Sequence, residues 1–288
     1  MKLYELIERT NGSVSPAQMD CPKILVHVLA KDKEATLPFY LETLEAWTYP
    51  KHRIVLYIRT NNNKDQTKTI LDDWVASHGG EYLELIYDSS DLNVDFSGYS
   101  VHEWNVPRLD VIRHLRDKGL MIARDKDCDF YFTSDVDNYL VPDTLERLVG
   151  HNAPVVAPLL RYAVDPSEVA ENAAAANWTY SNFTNVVNHW GDTQHGTNDF
   201  PVGYFDILNQ NIKGLFVVDL VHATYLVHKD VFWRVSYQNG TEGFDYIKFS
   251  CTLRVAGIMQ ILDNTKLYGC MTLAENADAC RKFMAELS

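Results

Sequence analysis

The sequence predicts an α/β fold in which helices cover both faces of a central, mostly parallel sheet. Short apolar runs that favour β-branched residues, as buried strands do, alternate with segments whose apolar residues recur at helical spacing. The helical segments are roughly 10–20 residues long, which is the length needed to cross from one parallel strand to the next. With 12 Phe, 6 Trp and 16 Tyr in 288 residues, the chain also has enough apolar surface for a folded core.

Strand and helix patterns follow one another regularly through the first half of the chain. Pro107 stands where helices favour proline, in the first turn. Strands are predicted over 24–30, 53–58, 82–87, 129–133 and 155–160, and helices over 34–47, 65–77, 107–124 and 143–149. The third of these helices is predicted to bury a stripe formed by Val111, Ile112, Leu115 and Ile122. Right-handed crossovers between the strands give a parallel sheet of the nucleotide-binding type.

The second half is less regular. Residues 161–214 are rich in Asn, Thr, Trp and Tyr and show little periodicity, which is typical of a functional surface or a lid. Strands are predicted over 214–219, 223–227 and 259–262, and helices over 244–255 and 274–287. Because no linker or repeat interrupts the chain, we expect a single domain over 22–288 after an extension over 1–21.

Charge and apolar patterning exclude several classes of partner. The formal net charge of −13 argues against a nucleic-acid backbone or an anionic membrane surface, while an anionic small molecule remains compatible with a locally basic cleft. No segment approaches the roughly 18–20 apolar residues of a membrane span, and residues 1–9 lack the apolar core of a signal peptide. The five cysteines are widely spaced and predict reduced thiols. Together these features predict a cytoplasmic protein.

Pairs of aspartates two residues apart occur three times, and their context separates them. Two overlapping pairs, formed by Asp125, Asp127 and Asp129, lie in a charged connection that is typical of a solvated turn. Asp135 and Asp137 instead follow an apolar strand directly, at the edge of an open α/β sheet where ligands bind. Their oxygens suit Mg²⁺ or Mn²⁺, which keep open positions for diphosphate oxygens. The alternative is an acidic turn that caps the next helix.

Arg108 is placed against the preference of its own helix. A cation in the first turn opposes the helix dipole, and the backbone N–H groups of that turn point toward the same space. An anion is the ligand that suits both features. The alternative is an exposed arginine that is solvated or paired with Asp110.

Ordered blocks of sequence carry a resemblance to a known family. The blocks are Tyr49-Pro50-Lys51, Thr60-Asn61-Asn62, Trp104 with Arg108, Phe244-Asp245, Ala256-Gly257-Ile258, Tyr268-Gly269 and the segments 69–74, 134–140, 155–160, 180–183 and 221–226. They resemble, in order and over roughly residues 22–272, the collagen galactosyltransferase-type domain of glycosyltransferase family 25.

The resemblance implies a GT-A fold, a Rossmann-like α/β/α sandwich with a central mostly parallel sheet. Within it, 22–160 is expected to bind the nucleotide sugar, 161–273 to bind the acceptor, and 274–288 to form a C-terminal helix. It also implies a UDP-sugar donor, Mn²⁺ or Mg²⁺ as cofactor, and inversion at the transferred sugar.

Individual residues match the family's motifs. The family's Asp-x-Asp falls on Asp135 and Asp137, and its Trp and Arg fall on Trp104 and Arg108. Ala30 and Thr60, at the ends of the first two strands, are expected to border the uracil. The predicted donor site is therefore Ala30, Thr60, Trp104, Arg108 and Asp135, and the predicted metal site is Asp135, Asp137 and His222.

The chain departs from the family pattern at two positions. Tyr246 stands where the family often has a second aspartate after Phe-Asp, and Leu267 stands where it tends to have histidine before Tyr-Gly. Since a histidine there commonly binds the metal, His222 becomes the substitute candidate. On its own, a histidine beside a strand is more often a hydrogen-bonded core residue.

The transfer step and the acceptor suggest further residues. Inversion needs a carboxylate to take the proton of the acceptor hydroxyl, and Asp245 and Glu242 are the acids near the start of the helix over 244–255. Asp245 has the alternative role of capping that helix. Trp178, Tyr180 and Asn182 are the predicted acceptor- or sugar-binding residues, with packing beneath a long loop as the alternative for the aromatic ones.

These patterns favour a metal-dependent inverting glycosyltransferase that moves a sugar, with galactose as first choice, from a UDP-sugar to a hydroxyl of a glycan or a hydroxylysine-type protein acceptor. One alternative is a catalytically silent GT-A domain that binds a nucleotide sugar or a glycan. A haloacid-dehalogenase-type phosphatase also has Asp-x-Asp after an apolar strand, but on its first strand, whereas three strands precede Asp135 here.

Overall fold

The structure, a computed structural model, describes residues 21–94, 105–163, 181–184, 204–240, 243–272 and 277–287. The strands are β1 (Ile24–Ala30), β2 (Ile54–Thr60), β3 (Glu84–Asp88), β4 (Phe130–Ser134), β5 (Asn138–Leu140), β6 (Val155–Pro158), β7 (Arg161–Tyr162), β8 (Phe183–Thr184), β9 (Leu215–Val218), β10 (Leu220–Val221), β11 (Thr224–His228), β12 (Gln260–Asp263) and β13 (Gly269–Met271). The helices are α1 (Leu37–Glu45), α2 (Thr67–His78), α3 (Val106–Asp125), α4 (Thr144–Gly150), α5 (Tyr204–Leu208), α6 (Asp245–Val255) and α7 (Asp278–Leu287).

Eight of these strands form the central sheet, in the order β3-β2-β1-β4-β11-β6-β12-β9. The pairs β1–β2, β1–β4, β2–β3 and β6–β12 are parallel, while β11 and the edge strand β9 run antiparallel to their neighbours. The prediction of a mostly parallel sheet is confirmed. Because the chain builds outward from β1 to β3 and then returns to the other side of β1, the strand order reverses between β1 and β4. Open α/β sheets bind ligands outside the carboxyl ends of the strands at such a point.

Helices cover both faces of the sheet, as expected for an α/β/α sandwich. Alternate residues of β1 lie on opposite faces of the sheet, with Val26 and Val28 on one face and Leu25 on the other. The first face packs against α1, α2, α4 and α7, and the second against α3, α5 and α6. The fold is thus stabilised by two apolar layers that share one sheet.

The very short strands were not predicted, because two or three residues carry no readable periodicity. β5, β13 and β7 form a three-stranded sheet, and β8 pairs with β10. At Gly269 the backbone has φ +150° and a Cβ would lie 1.9 Å from the carbonyl oxygen of Tyr139. Glycine is therefore required where β13 passes β5.

The long helix α3 buries a different face from the predicted one. Asn105 caps its start by accepting a hydrogen bond from the amide of Arg108 at 3.1 Å, with Pro107 in the first turn as predicted. The predicted stripe of Val111, Ile112, Leu115 and Ile122 is only partly buried. The buried positions are Leu109, Arg113, Arg116, Gly119, Leu120 and Ala123. The arginines lie inward because this helix crosses a polar edge of the sheet, where their guanidinium groups find oxygen acceptors.

Two further features concern the helices and the cysteines. Among the residues that the structure describes, none of the helices combines the length and the apolar character needed to cross a membrane. All five cysteines are free thiols.

The contact between α3 and β1 is unusually close at Gly119. The ring of His27 is fully buried, stacks on Tyr57 at 4.7 Å between centroids, and its Nδ1 lies 2.9 Å from the hydroxyl of Tyr131. Burial lowers the pKa of His27 well below its usual value, with Arg116 and Lys118 acting in the same direction. A Cβ added at Gly119 would lie 2.2 Å from Nδ1 of this ring.

Replacing Gly119 with alanine is expected to destabilise the fold. The His27 ring is fixed by its stacking, so the overpacking cost of up to about 3 kcal/mol outweighs the roughly 1 kcal/mol that alanine gains in helix propensity. Urea unfolding should show a net loss of about 1–2 kcal/mol. Gly150→Ala is the control, because no atom lies within 4 Å of its added Cβ. Equal stability of the two variants would contradict the close packing of α3 on β1.

Candidate functional site

The turn that carries the predicted Asp-x-Asp motif follows β4 at the point where the strand order reverses. This turn, residues 134–138, is held by main-chain hydrogen bonds from the amide of Asp135 to the carbonyl of Ala223 at 3.1 Å and from the amide of Asn138 to the carbonyl of Asp135 at 3.0 Å. The side chain of Asn138 also donates to Thr224 Oγ1 at 2.8 Å. The turn is therefore fixed to the start of β11, which is the strand inserted antiparallel beside β4.

Ala223 has an uncommon backbone conformation that serves this contact. Its φ of +62° lies in the left-handed region, which non-glycine residues rarely adopt. The bend lets β10 end and β11 begin while the carbonyl of Ala223 points to Asp135. Backbone strain of this kind is concentrated at functional sites in proteins.

Asp135 lies among charges of both signs. Its carboxylate accepts a hydrogen bond from Arg116 and keeps 39% of its side-chain surface exposed. The surrounding protein desolvates the carboxylate and raises its pKa to about 6, with Arg116 opposing this and the negative charges of Asp137 and Asp245 adding to it. Asp135 is therefore a partly accessible carboxylate in a crowded acidic group.

Arg116 is the cation at the centre of this group, and the sequence analysis missed it. The guanidinium donates to Thr133 Oγ1 and to Asp135, and its Nε lies 3.4 Å from an oxygen of Asp245. Burial alone lowers the pKa of Arg116, yet the carboxylates of Asp135 and Asp245 outweigh it and hold the pKa well above its usual value. Arg116 thus stays charged and joins β4, the Asp-x-Asp turn and α6.

Asp137 pairs with a lysine from another loop. Lys33, in the connection between β1 and α1, places Nζ 2.8 Å from Asp137 Oδ2, and the two side chains are 28% and 21% exposed. The main chain of Asp137 is fixed, since its carbonyl accepts the amide of Thr272 at 3.0 Å. Lys33 is the second residue that the sequence analysis missed.

The loops that follow β1 and β2 are locked together beside this pair. The carboxylate of Asp32 accepts the amide of Lys64 at 2.6 Å, and the amide of Asp32 donates to Asn63 at 3.0 Å. The amide of Lys33 donates to Thr67 Oγ1 at 2.6 Å. The two loops therefore form one rigid rim at the carboxyl edge of the sheet.

The predicted donor residues that the structure describes line this edge. Ala30 and Thr60 are neighbours in the β1–β2 register and are buried, and Thr60 Oγ1 accepts from Asn63 at 2.6 Å. Arg108 is half-buried, and burial lowers its pKa while the nearby Asp32 opposes this. Asp110, the partner considered for Arg108, forms a hydrogen bond with Arg113.

Asp245 begins α6 without capping it. The N-cap residue is Phe244, which makes no side-chain cap hydrogen bond, and the carboxylate of Asp245 lies beside Arg116 with 15% of the side chain exposed. The proposed alternative of a helix cap therefore does not account for this residue. The acid reaches the same guanidinium as Asp135.

His222 and Asn182 are buried beside the start of β11, the strand to which the turn is fixed. His222 is 6% exposed, its ring lies 5.0 Å from that of Tyr246, and its amide donates to the carbonyl of Asn182 at 3.0 Å. Asn182 is fully buried. Its side-chain oxygen accepts the amide of Leu160 at 3.0 Å, and its side-chain nitrogen donates to the carbonyl of Pro158 at 2.7 Å. Its side chain thus holds the end of β6 rather than facing solvent.

The remaining predicted residues Trp104, Trp178, Tyr180 and Glu242 lie outside the described residues.

The chemistry of two carboxylates on this turn suits a divalent metal ion. Within the described part of the chain, no three His, Cys, Asp or Glu side chains are grouped to hold one ion, so Asp135, Asp137 and His222 do not form a preassembled trio. Mg²⁺ and Mn²⁺ are often held by one or two carboxylates, with water and substrate phosphates completing the shell. Asp135 and Asp137 are partly exposed on one fixed turn and meet that requirement.

Sequence comparison supplies the family. The family model described as glycosyltransferase family 25, N-terminal domain, matches residues 21–282. Procollagen galactosyltransferase 1-A of Xenopus laevis is 31% identical over 86% of this chain and 39% of its own length, and human procollagen galactosyltransferase 2 is 31% identical over 88% and 39%. A mouse relative named inactive glycosyltransferase 25 family member 3 is 27% identical over 95% and 44%. The chain spans about two fifths of the length of these relatives.

Structural comparison agrees on the fold. Residues 1–349 of S. aureus TarS superpose with a TM-score of 0.52 at 13% identity, over 87% of this chain and 60% of that one. GalNAc-T7, solved with UDP, GalNAc and Mn²⁺, gives 0.56 at 12% identity, over 87% and 43%. At this identity the likeness concerns the fold, which is GT-A as expected. The extent of the family match then establishes that this chain belongs to glycosyltransferase family 25.

Proposed function

We propose that this chain is a metal-dependent inverting glycosyltransferase that transfers a sugar, galactose as first choice, from a UDP-sugar to a hydroxyl acceptor. The observation that carries the proposal is the Asp135–Asp137 turn, which lies at the switch point of the sheet with Arg108 and Lys33 at the same edge. The names of the family relatives support galactose and a collagen-type acceptor. Neighbours solved with UDP-GlcNAc or with UDP and Mn²⁺ support the class of donor and cofactor.

The residues at the sheet edge can be assigned to the parts of the nucleotide donor. The ends of β1 and β2, at Ala30 and Thr60, border the base, and Arg108 contacts the diphosphate. Asp137 would hold the cation with Asp135 beside it, and a divalent ion bound there would supply positive charge against the leaving UDP. The rim formed by the locked loops lies at the same edge and would border the nucleotide.

Asp245 is the base in this proposal. A carboxylate that deprotonates the acceptor hydroxyl has to lie close to the donor yet outside the metal shell. Asp245 meets both conditions, because it shares Arg116 with Asp135 but belongs to α6. Glu242 is the second candidate.

Arg116 is a positioning residue. It is buried, so its geometry is fixed, and it connects the acid proposed for the donor with the acid proposed for the acceptor. It sets the separation of Asp135 and Asp245 without touching substrate.

A silent GT-A domain is the second candidate function. The mouse relative named as inactive, together with Tyr246 and Leu267 at two family positions, favours it. In that case UDP binds without turnover, which the first experiment below distinguishes.

Asp137→Asn is expected to lower UDP-galactose hydrolysis and transfer in Mn²⁺ by about 100-fold or more, since a bound cation contributes several kcal/mol to the transition state. Product release is measured with UDP detection, and circular dichroism checks the fold. Asp125→Asn, in the first of the two overlapping Asp-x-Asp pairs, is the matched control and should be unchanged. Full activity of Asp137→Asn would contradict the proposal, and UDP binding without turnover in the wild type would select the silent domain.

Asp245→Asn is expected to lower kcat about 10²–10⁴-fold, the usual contribution of a general base, while UDP affinity stays near the wild-type value. Steady-state kinetics and calorimetric titration of UDP measure the two quantities. Asp278→Asn, at the first residue of α7, is the control. A parallel loss of UDP affinity would assign Asp245 to donor binding instead.

Arg116→Met is expected to lower the free energy of unfolding by about 1–3 kcal/mol, because it leaves the partly exposed carboxylates of Asp135 and Asp245 without their shared counter-charge. Urea denaturation measures the change. Arg254→Met, on the exposed side of α6, should stay within about 0.5 kcal/mol of the wild type. Similar stability of both variants would rule out the bridging role.

A further inference from the structure

We propose that Lys33 is an exchangeable internal cation of the donor site: its ammonium neutralises Asp137 in the free protein and moves to the diphosphate of the nucleotide when the metal and the donor bind. The inference rests on the proposed function, since it deepens the same site.

The first argument is the place of the ion pair. Lys33 Nζ lies 2.8 Å from Asp137 Oδ2, at the carboxylate proposed to hold the divalent cation. A divalent ion bound to this carboxylate repels the nearby ammonium and takes up part of the carboxylate charge that holds it. Binding of the metal to Asp137 therefore weakens the pair with Lys33 and favours its exchange.

The second argument is that the side chain can leave while its backbone stays. The Lys33 amide is fixed to Thr67 Oγ1 at 2.6 Å, and the adjacent Asp32 is locked to the loop after β2. The side chain, in contrast, is 28% exposed and has a flexible four-carbon stem. A partly exposed ion pair of this kind contributes little stability, so its exchange is inexpensive.

The third argument compares Lys33 with the other cation of the acidic group. Arg116 is 5% exposed and holds Thr133 and Asp135 while lying beside Asp245, so it is not free to move. Among the cations that the described residues place against the Asp-x-Asp carboxylates, Lys33 is therefore the more exposed and the better suited to exchange.

The charge balance shows why exchange helps the donor. Asp135, Asp137 and Asp245 carry three negative charges against two positive charges on Arg116 and Lys33, which leaves one net negative charge. A diphosphate is repelled by that group. A divalent ion changes the net charge to one positive and releases the Lys33 ammonium for the phosphate oxygens. The cation should therefore bind before the nucleotide.

Two affinities test the proposal, and they should move in opposite directions. In Lys33→Met, the competitor for Asp137 is gone, so the Kd of Mn²⁺ alone should fall about two- to fivefold. The Kd of UDP at saturating Mn²⁺ should rise about tenfold or more, because a charge-assisted hydrogen bond is lost. Electron paramagnetic resonance of free Mn²⁺ gives the first constant, and calorimetry gives the second.

Two variants serve as controls. Lys68→Met removes one positive charge from α2, where Lys68 pairs with Asp72 at 2.6 Å, and should change neither constant. Lys33→Arg keeps the charge and should retain most of the UDP affinity.

The outcomes separate this inference from the proposed function. A wild type that binds neither Mn²⁺ nor UDP overturns both. If the wild type binds both ligands, unchanged constants in Lys33→Met, or weaker binding of both ligands in a folded variant, overturn the role of Lys33 and leave the proposed function standing.

Discussion

The arrangement of the site depends on the buried guanidinium of Arg116. This side chain reaches from α3 to Thr133 at the end of β4, to Asp135 on the following turn and to Asp245 at the start of α6. A buried charge is stable only when oppositely charged or hydrogen-bonding groups surround it. Asp135 and Asp245 supply the opposite charges. The guanidinium in turn offsets the repulsion between these two carboxylates, which would otherwise push the turn and α6 apart. The acidic group therefore holds these elements of the fold together, apart from any role in catalysis.

The sheet topology explains why these elements meet. The reversal of strand order beside β1 opens the edge, and the antiparallel insertion of β11 next to β4 brings Ala223 and Thr224 against the Asp-x-Asp turn. Helix α3 can pass close above β1 because Gly119 leaves room for His27. That close passage is what carries Arg116 inward to the end of β4.

The sequence was sufficient for the longer regular elements and for the position of the Asp-x-Asp turn at the sheet edge. Strands such as β1 and β4 are continuous apolar runs, so their predicted bounds agree with the structure to within a residue. Asp135 could be placed at a sheet edge because it directly follows such a run. The buried face of α3 could not be predicted, since an arginine among apolar residues normally indicates the exposed side. The contact of Lys33 with Asp137 spans 104 residues of sequence and depends on the strand order, which periodicity does not reveal.

The locked loops after β1 and β2 have a consequence for the cost of recognition. Their amides are already satisfied by Asp32, Asn63 and Thr67, so the backbone of this rim has little freedom left to lose when a ligand arrives. The conformational entropy that binding costs is then mainly that of the side chains. A preorganised wall of this kind discriminates by shape, because it does not adjust to a ligand that fits it poorly.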